Sequence, residues 1–293
     1  MIANVTNFNT CDLILYIKLM EIILSNYDFS YDPVTAISED QATGKTAEIF
    51  LDIKKTMQIP LITSIWRGLA GMNNSLEDVW ILTKPIYLSG TPELALNHML
   101  NSISFPIPTK FNSEIFNAED LKHIKDIIKV YTKSNGMNLM ALSAFIKSEY
   151  KPRVVISNIT PKIVEASFPR LLNKEEISKK NWEIVKKVNS LGGIKYKDNH
   201  VATLWRHLSY WPNFLDKAYK NIKIFESNGD LMKTQNDVLN YLENNGINLK
   251  RQKDKYTNIN ISTLNTIKNY VCTTNQVIRM VVLGHIMLKW LEK

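Results

Sequence analysis

Ile65-Trp66-Arg67-Gly68-Leu69-Ala70 in the first half of the chain returns in the second as Leu204-Trp205-Arg206-His207-Leu208-Ser209. The 293 residues hold six Trp and six Arg, so two Trp-Arg pairs in matching apolar settings are hard to attribute to chance. Each pair follows a similar amphipathic stretch, Ile49-x-x-x-Ile53-Lys54-Lys55 and Ile184-x-x-x-Val188. Each is followed, at nearly the same distance, by a polar interruption of an apolar helical pattern: Lys133-Ser134-Asn135 and Thr273-Thr274-Asn275. Two copies of roughly 130 residues are too few and too long for a solenoid, so the pattern predicts an intramolecular pseudodimer.

The pattern around these anchors is helical. Gly and Pro number 10 each, too few for the turns of an all-β chain of this length. Helices are expected after the capping-box pattern Ser38-x-x-Gln41, from Pro60, from about Ser75 to a stop near Pro85, and from Thr91-Pro92. Asn117 starts a helix with Leu121, Ile124, Ile127, Ile128 and Tyr131 on one face. A break at Ser134 to Gly136 separates it from an apolar helix through Tyr150. Between Lys151 and Leu172 the helical period vanishes and Pro152, Pro161 and Pro169 intervene, which reads as a linker. Asn173-x-x-Glu176 caps the next helix, and further helices fall near 199–210, 212–228, 230–245, 261–273 and 275–291. The expected fold is therefore all-α, with a first repeat over 1–150, a linker over 151–172 and a second repeat over 173–293. An apolar run from Leu13 to Leu24 is interrupted by Lys18 and Glu21 and is too short to span a bilayer, so it reads as a buried helix.

The net charge is +8, carried mostly by scattered Lys. Without an aromatic RNA-binding motif, zinc-finger spacing or a basic tail, these charges read as solvated helix faces that favour small anions over nucleic acid. Cys11 and Cys272 form no CxxC and no metal-ligand pattern, which fits a reducing cytoplasm and argues against a peroxidase of the alkylhydroperoxidase type, whose chemistry needs a redox CxxC. No cofactor, no metal and no membrane partner is expected.

At this point the residues resemble a family. Ile49 to Leu69, with Ile59-Pro60 ahead of Trp66-Arg67, is similar to the first repeat of the group I 2-haloacid dehalogenases, also labelled the DehI or halocarboxylic acid dehydrogenase family. Tyr131 to Phe145 (YTKSNGMNLMALSAF) resembles that family's Asn-containing motif. Val201 to Leu215 (VATLWRHLSYWPNFL) resembles its second-repeat motif, including Trp211-Pro212. The resemblance implies an all-α pseudodimer with a cleft between the repeats. It also implies release of halide from 2-halocarboxylic acids by direct attack of an activated water, without an ester intermediate. On the family pattern the assisting Asn is Asn135, and the hydroxyl residue before the catalytic carboxylate is Thr203. The carboxylate position itself holds Leu204, the pocket Trp position Leu61 and the pocket Phe position Ser64. The first repeat has Ser64-Ile65 where the second has Thr203-Leu204, so the two halves are more alike here than in the family.

Water attack at neutral pH needs a base, and Leu204 cannot supply one. If 199–210 is helical, His200 and His207 share a face with Leu204, which makes His200 or Asp198 a substitute base; the plainer reading is a helix start and a surface residue. Asn135 is either the cap of the helix after the break or a buried amide that orients a water. Arg67 and Arg206 either bind a carboxylate or pair with acidic residues across the repeat interface. Trp66 and Trp205 read as core anchors. Two functions follow: hydrolysis of small 2-substituted carboxylic acids in the cleft, or binding of a small carboxylate or protein partner by a pseudodimer without a base. A homodimer of pseudodimers is compatible with either.

Overall fold

The computed structural model describes residues 36–111, 113–148, 150–152, 157–193, 201–247, 251–255 and 259–293. The expected helix near the N-terminus, Asp198 and His200 lie outside the described residues. The fold is all-α: α1 (Gly44–Met57), α2 (Ser64–Ala70), α3 (Ser75–Leu88), α4 (Thr91–Ser102), α5 (Ala118–Ser148), α6 (Lys179–Asn189), α7 (Thr203–His207), α8 (Pro212–Ser227), α9 (Asp230–Asn245), α10 (Ile261–Cys272) and α11 (Arg279–Leu291). One short antiparallel pairing departs from this, β1 (Tyr150–Pro152) with β2 (Arg251–Lys255), in the register Tyr150 to Lys255 and Pro152 to Arg251.

The local chemistry explains most element ends. Asn117 Oδ1 accepts the Asp120 N–H at 2.7 Å, which starts α5 as expected of an Asn cap. Asn173 and Glu176 form a reciprocal capping box, but it closes a single 3₁₀ turn; α6 begins later, where Ser178 accepts from the Asn181 N–H. The Ser38–Gln41 side chains also meet, yet they close a turn ahead of α1 and do not open it. Pro60 lies in the connection before α2 and opens no helix. Pro85 does not stop α3, which carries the proline and runs on to Leu88.

The largest correction concerns Ser134 to Gly136. No break occurs there: α5 is one helix of 31 residues. Gly136 is needed for packing, because a Cβ on it would lie 2.4 Å from the Leu96 side chain on α4. Gly is therefore the price of a close helix crossing rather than a stop signal. The fully buried Ile124, Ile127, Ile128, Leu139 and Leu142 make α5 the spine of the core. It packs against α3 and α4 on one side and against α7, α10 and α11 on the other. Each such side chain contributes roughly 1.5–3 kcal/mol by leaving water.

The second half, α6 to α11, also places its short Trp-Arg helix ahead of longer helices. Between α10 and α11 a π turn, Thr274–Ile278, carries Gln276 at φ −101° and ψ −122°, and the two helices meet at a bend of 46°. No single described helix is long and apolar enough to cross a membrane. The bent pair passes that test by composition, and Ile267, Tyr270, Val281, Leu283 and Met287 bury its apolar side in the core.

Candidate functional site

α2 and α7 are short helices that carry the two Trp-Arg pairs. Trp66 and Trp205 are both fully buried, as core anchors should be. They fix the first residues of the two helices, Ser64 and Thr203, against a common cavity of about 10 Å³, room for about one water. Its walls are Thr63 and Ser64 from the first half, Ala202, Thr203 and Leu204 from the second, and Tyr131 and Asn135 from α5. Tyr270, Val277 and Met280 close it. Four of the residues singled out from the sequence, Ser64, Asn135, Thr203 and Leu204, thus meet at one point. Leu61 does not; it lines an adjoining groove.

Asn135 is 7 % exposed inside α5, one turn beyond Tyr131, so it caps no helix. Its Oδ1 accepts from the Tyr270 hydroxyl at 3.3 Å, which leaves the amide nitrogen as the atom with which it donates. Burial holds the Tyr270 phenol above its ordinary pKa, so it stays a donor. Among the described residues no carboxylate lines the cavity, and Leu204 is 1 % exposed on its wall. α7 begins only at Thr203, and Val201 and Ala202 lie ahead of it outside any helix.

The sequence reading missed Asn138. This fully buried amide accepts from Trp66 Nε1 at 3.2 Å and from the Tyr87 hydroxyl at 2.9 Å, and donates to Thr63 Oγ1 at 2.9 Å. Its spacing of three from Asn135 on an apolar helix was the available signal, since a polar residue repeated on a buried face needs partners.

A groove of about 940 Å³ lies beside the cavity, and Tyr131 lines both. The groove runs between the Ser38–Gln41 turn, Pro60 to Ile62 and the segment from Ala166 to Glu176. Arg67, Arg206 and His207 form part of its floor. Arg206 donates through Nε and Nη2 to the Leu172 carbonyl, which ties α7 to the segment ahead of Asn173. His207 is not a surface residue. It is 3 % exposed, its Nε2 lies 2.7 Å from the Pro169 carbonyl, and its Nδ1 lies 3.3 Å from the Tyr131 hydroxyl. A carbonyl can only accept, so Nε2 carries the proton and Nδ1 accepts from Tyr131. Burial lowers the imidazole pKa, which favours this neutral form.

No protein-family model matches the chain, and no curated protein sequence matches it. Solved structures do. A mutant D-2-haloacid dehalogenase superimposes with a TM-score of 0.66 at 13 % identity, over 87 % of this chain and 95 % of that one. A mutant D-2-haloacid dehalogenase in complex with D-2-CPA gives 0.61 at 13 % identity, over 87 % and 94 %. D-2-haloacid dehalogenase with L-LA gives 0.61 at 13 % identity, over 87 % and 95 %. At this identity the likeness is one of fold: the chain has the all-α architecture of the haloacid dehalogenases over most of its length.

Proposed function

We propose that the chain is a 2-haloacid dehalogenase-like hydrolase of the group I type, acting on small 2-substituted carboxylic acids between two repeats that form a pseudodimer. The first repeat then spans 1–150 and the second 173–293, joined by the linker over 151–172. The observation that carries this reading is the convergence of Ser64, Asn135, Thr203 and Leu204 on one cavity in a chain of dehalogenase fold. A chance resemblance of scattered motifs would not bring those positions together. The groove beyond Tyr131 has the room for a small carboxylic acid that the cavity lacks.

A second reading is favoured by Leu204 itself. An apolar side chain stands where the resemblance puts a carboxylate, and the cavity has room for about one water. A small-carboxylate-binding protein without turnover would look the same. Halide release from D- and L-2-chloropropionate, against heat-inactivated protein, separates the two. Release from either enantiomer supports the hydrolase. No release, together with a rise in Tm on adding 2-chloropropionate, overturns it in favour of binding alone.

A further inference from the structure

The hydrolase reading needs a base for the water, and among the described residues one pair of side chains fits that need. Tyr131 lines both the cavity and the groove; His207 lines the groove and meets the Tyr131 hydroxyl at 3.3 Å. We propose that Tyr131, backed by His207, activates the attacking water in place of the carboxylate missing at Leu204. The inference rests on the proposed hydrolase function.

Three observations support it. The first is polarity. The Pro169 carbonyl fixes the proton on His207 Nε2, so Nδ1 presents its lone pair to Tyr131. The second is orientation. His207 is clamped edge-on between Tyr131 and Phe168, with ring centroids 5.8 and 5.1 Å apart, so its Nδ1 cannot swing away. A base held by a third group is the arrangement that activates weak nucleophiles. The third is placement. Asn135 lies one helical turn from Tyr131 on the same cavity wall, where its amide nitrogen can hold the same water.

The step balances. Water gives a proton to the Tyr131 oxygen while the Tyr131 proton passes to His207 Nδ1. The water oxygen attacks C2 of the acid, a C–O bond forms, the C–halide bond breaks, and halide leaves with its electron pair. The imidazolium then returns its proton through Tyr131 to solvent. Tyr131 touches the reacting water; His207 acts through it and is a positioning and proton-accepting residue.

Halide release by the full chain, with kcat and KM measured separately, tests the pair through His207→Gln and Tyr131→Phe. Gln keeps an acceptor for Tyr131 and a donor for Pro169 but cannot take a proton. A loss of about 10²- to 10⁴-fold in kcat in each variant, with KM changed little and Tm kept, is the expected result. If His207→Gln fails to fold, Tyr131→Phe decides alone. Wild-type halide release that both variants retain within a few fold overturns the pair and leaves the hydrolase standing. If the wild type releases none and Leu204→Asp does, the pair is overturned and the site stands. If neither releases halide, the pair and the hydrolase fall together.

Discussion

The first half, α1 to α5, and the second, α6 to α11, each carry one short Trp-Arg helix, yet their last long elements differ. In the first half α5 runs unbroken for 31 residues and carries Asn135 and Asn138 inward. In the second, α10 and α11 are split by the π turn at Thr274–Ile278. The residue as far beyond Trp205 as Asn138 is beyond Trp66 is Val277. Among the described residues the Trp205 indole N–H therefore has no hydrogen-bond partner, while the Trp66 N–H meets Asn138. One half anchors its tryptophan on a polar hub. The other packs it by shape alone, and its kink puts Val277 on the cavity wall. The cavity is thus polar along α5 and largely apolar along the kink, an asymmetry that near-identical Trp-Arg motifs conceal.

Removing the hub attacks this difference hardest. Asn138→Leu leaves Trp66 Nε1 and the Tyr87 hydroxyl without their acceptor and Thr63 without its donor, all in the dry core. A buried polar group left unmet costs about 1–3 kcal/mol, so the variant should lose about 3–5 kcal/mol in urea unfolding. A loss below about 1 kcal/mol would mean that both tryptophans are held by shape alone.

Acid tests the second half. His285, on α11 beyond the kink, packs against Phe105 with ring centroids 4.5 Å apart. Burial first, and then the charge of Lys289, lower its pKa from 6.5 to about 4. The unfolded chain takes up that proton near its ordinary pKa while the folded chain resists. Stability is then complete above about pH 6.5, falls as pH drops, and levels off below about pH 4. The full swing is on the order of 2–3 kcal/mol, and burial of His207 acts in the same direction. His285→Phe should flatten the midpoint-versus-pH curve over that window; an unchanged slope would assign the acid sensitivity elsewhere.

The contact between the halves gives a third handle. A Cβ on Gly284 of α11 would lie 2.2 Å from Thr132 Oγ1 on α5. Thr132 cannot easily turn away, because it is β-branched and its hydroxyl donates to the Ile128 carbonyl at 2.8 Å. Gly284→Ala should cost about 1–3 kcal/mol by overpacking. Adding Thr132→Ala should recover part of that loss, as coupled neighbours do. If the double variant is as unstable as the sum of the singles, the helices do not meet closely there.

The failures of the sequence reading share a cause with these contacts. The caps at Asn117 and Asn173 were legible because a cap is satisfied within three residues, although the second closes only a 3₁₀ turn. Asn135 was not, because its partner Tyr270 is 135 positions away and nothing local announces it. Ser134, Asn135 and Gly136 look like a turn in isolation. They stay helical because Leu96 requires the missing Cβ and Tyr270 satisfies the amide. Ser64, Asn135, Thr203 and Leu204 were legible through resemblance; Thr63, Ala202, Tyr270, Val277 and Met280, which also line the cavity, were not, and Leu61 lies in the groove. The contacts of His207 were not legible either, since its partners Pro169 and Tyr131 lie 38 and 76 positions away.

The finest test compares the two tryptophans directly. Trp66→Phe and Trp205→Phe remove similar volume from fully buried sites, so their packing losses largely cancel in the difference. What remains is the indole N–H. In Trp66→Phe a hydrogen bond to Asn138 is lost, although Tyr87 still donates to the same oxygen. In Trp205→Phe a donor without a partner is deleted, which offsets part of the packing loss. Trp66→Phe should therefore be the more destabilising by about 1–2 kcal/mol in matched urea titrations. Equal losses would show that the Asn138 bond adds nothing to packing and that the halves differ in shape but not in polar anchoring.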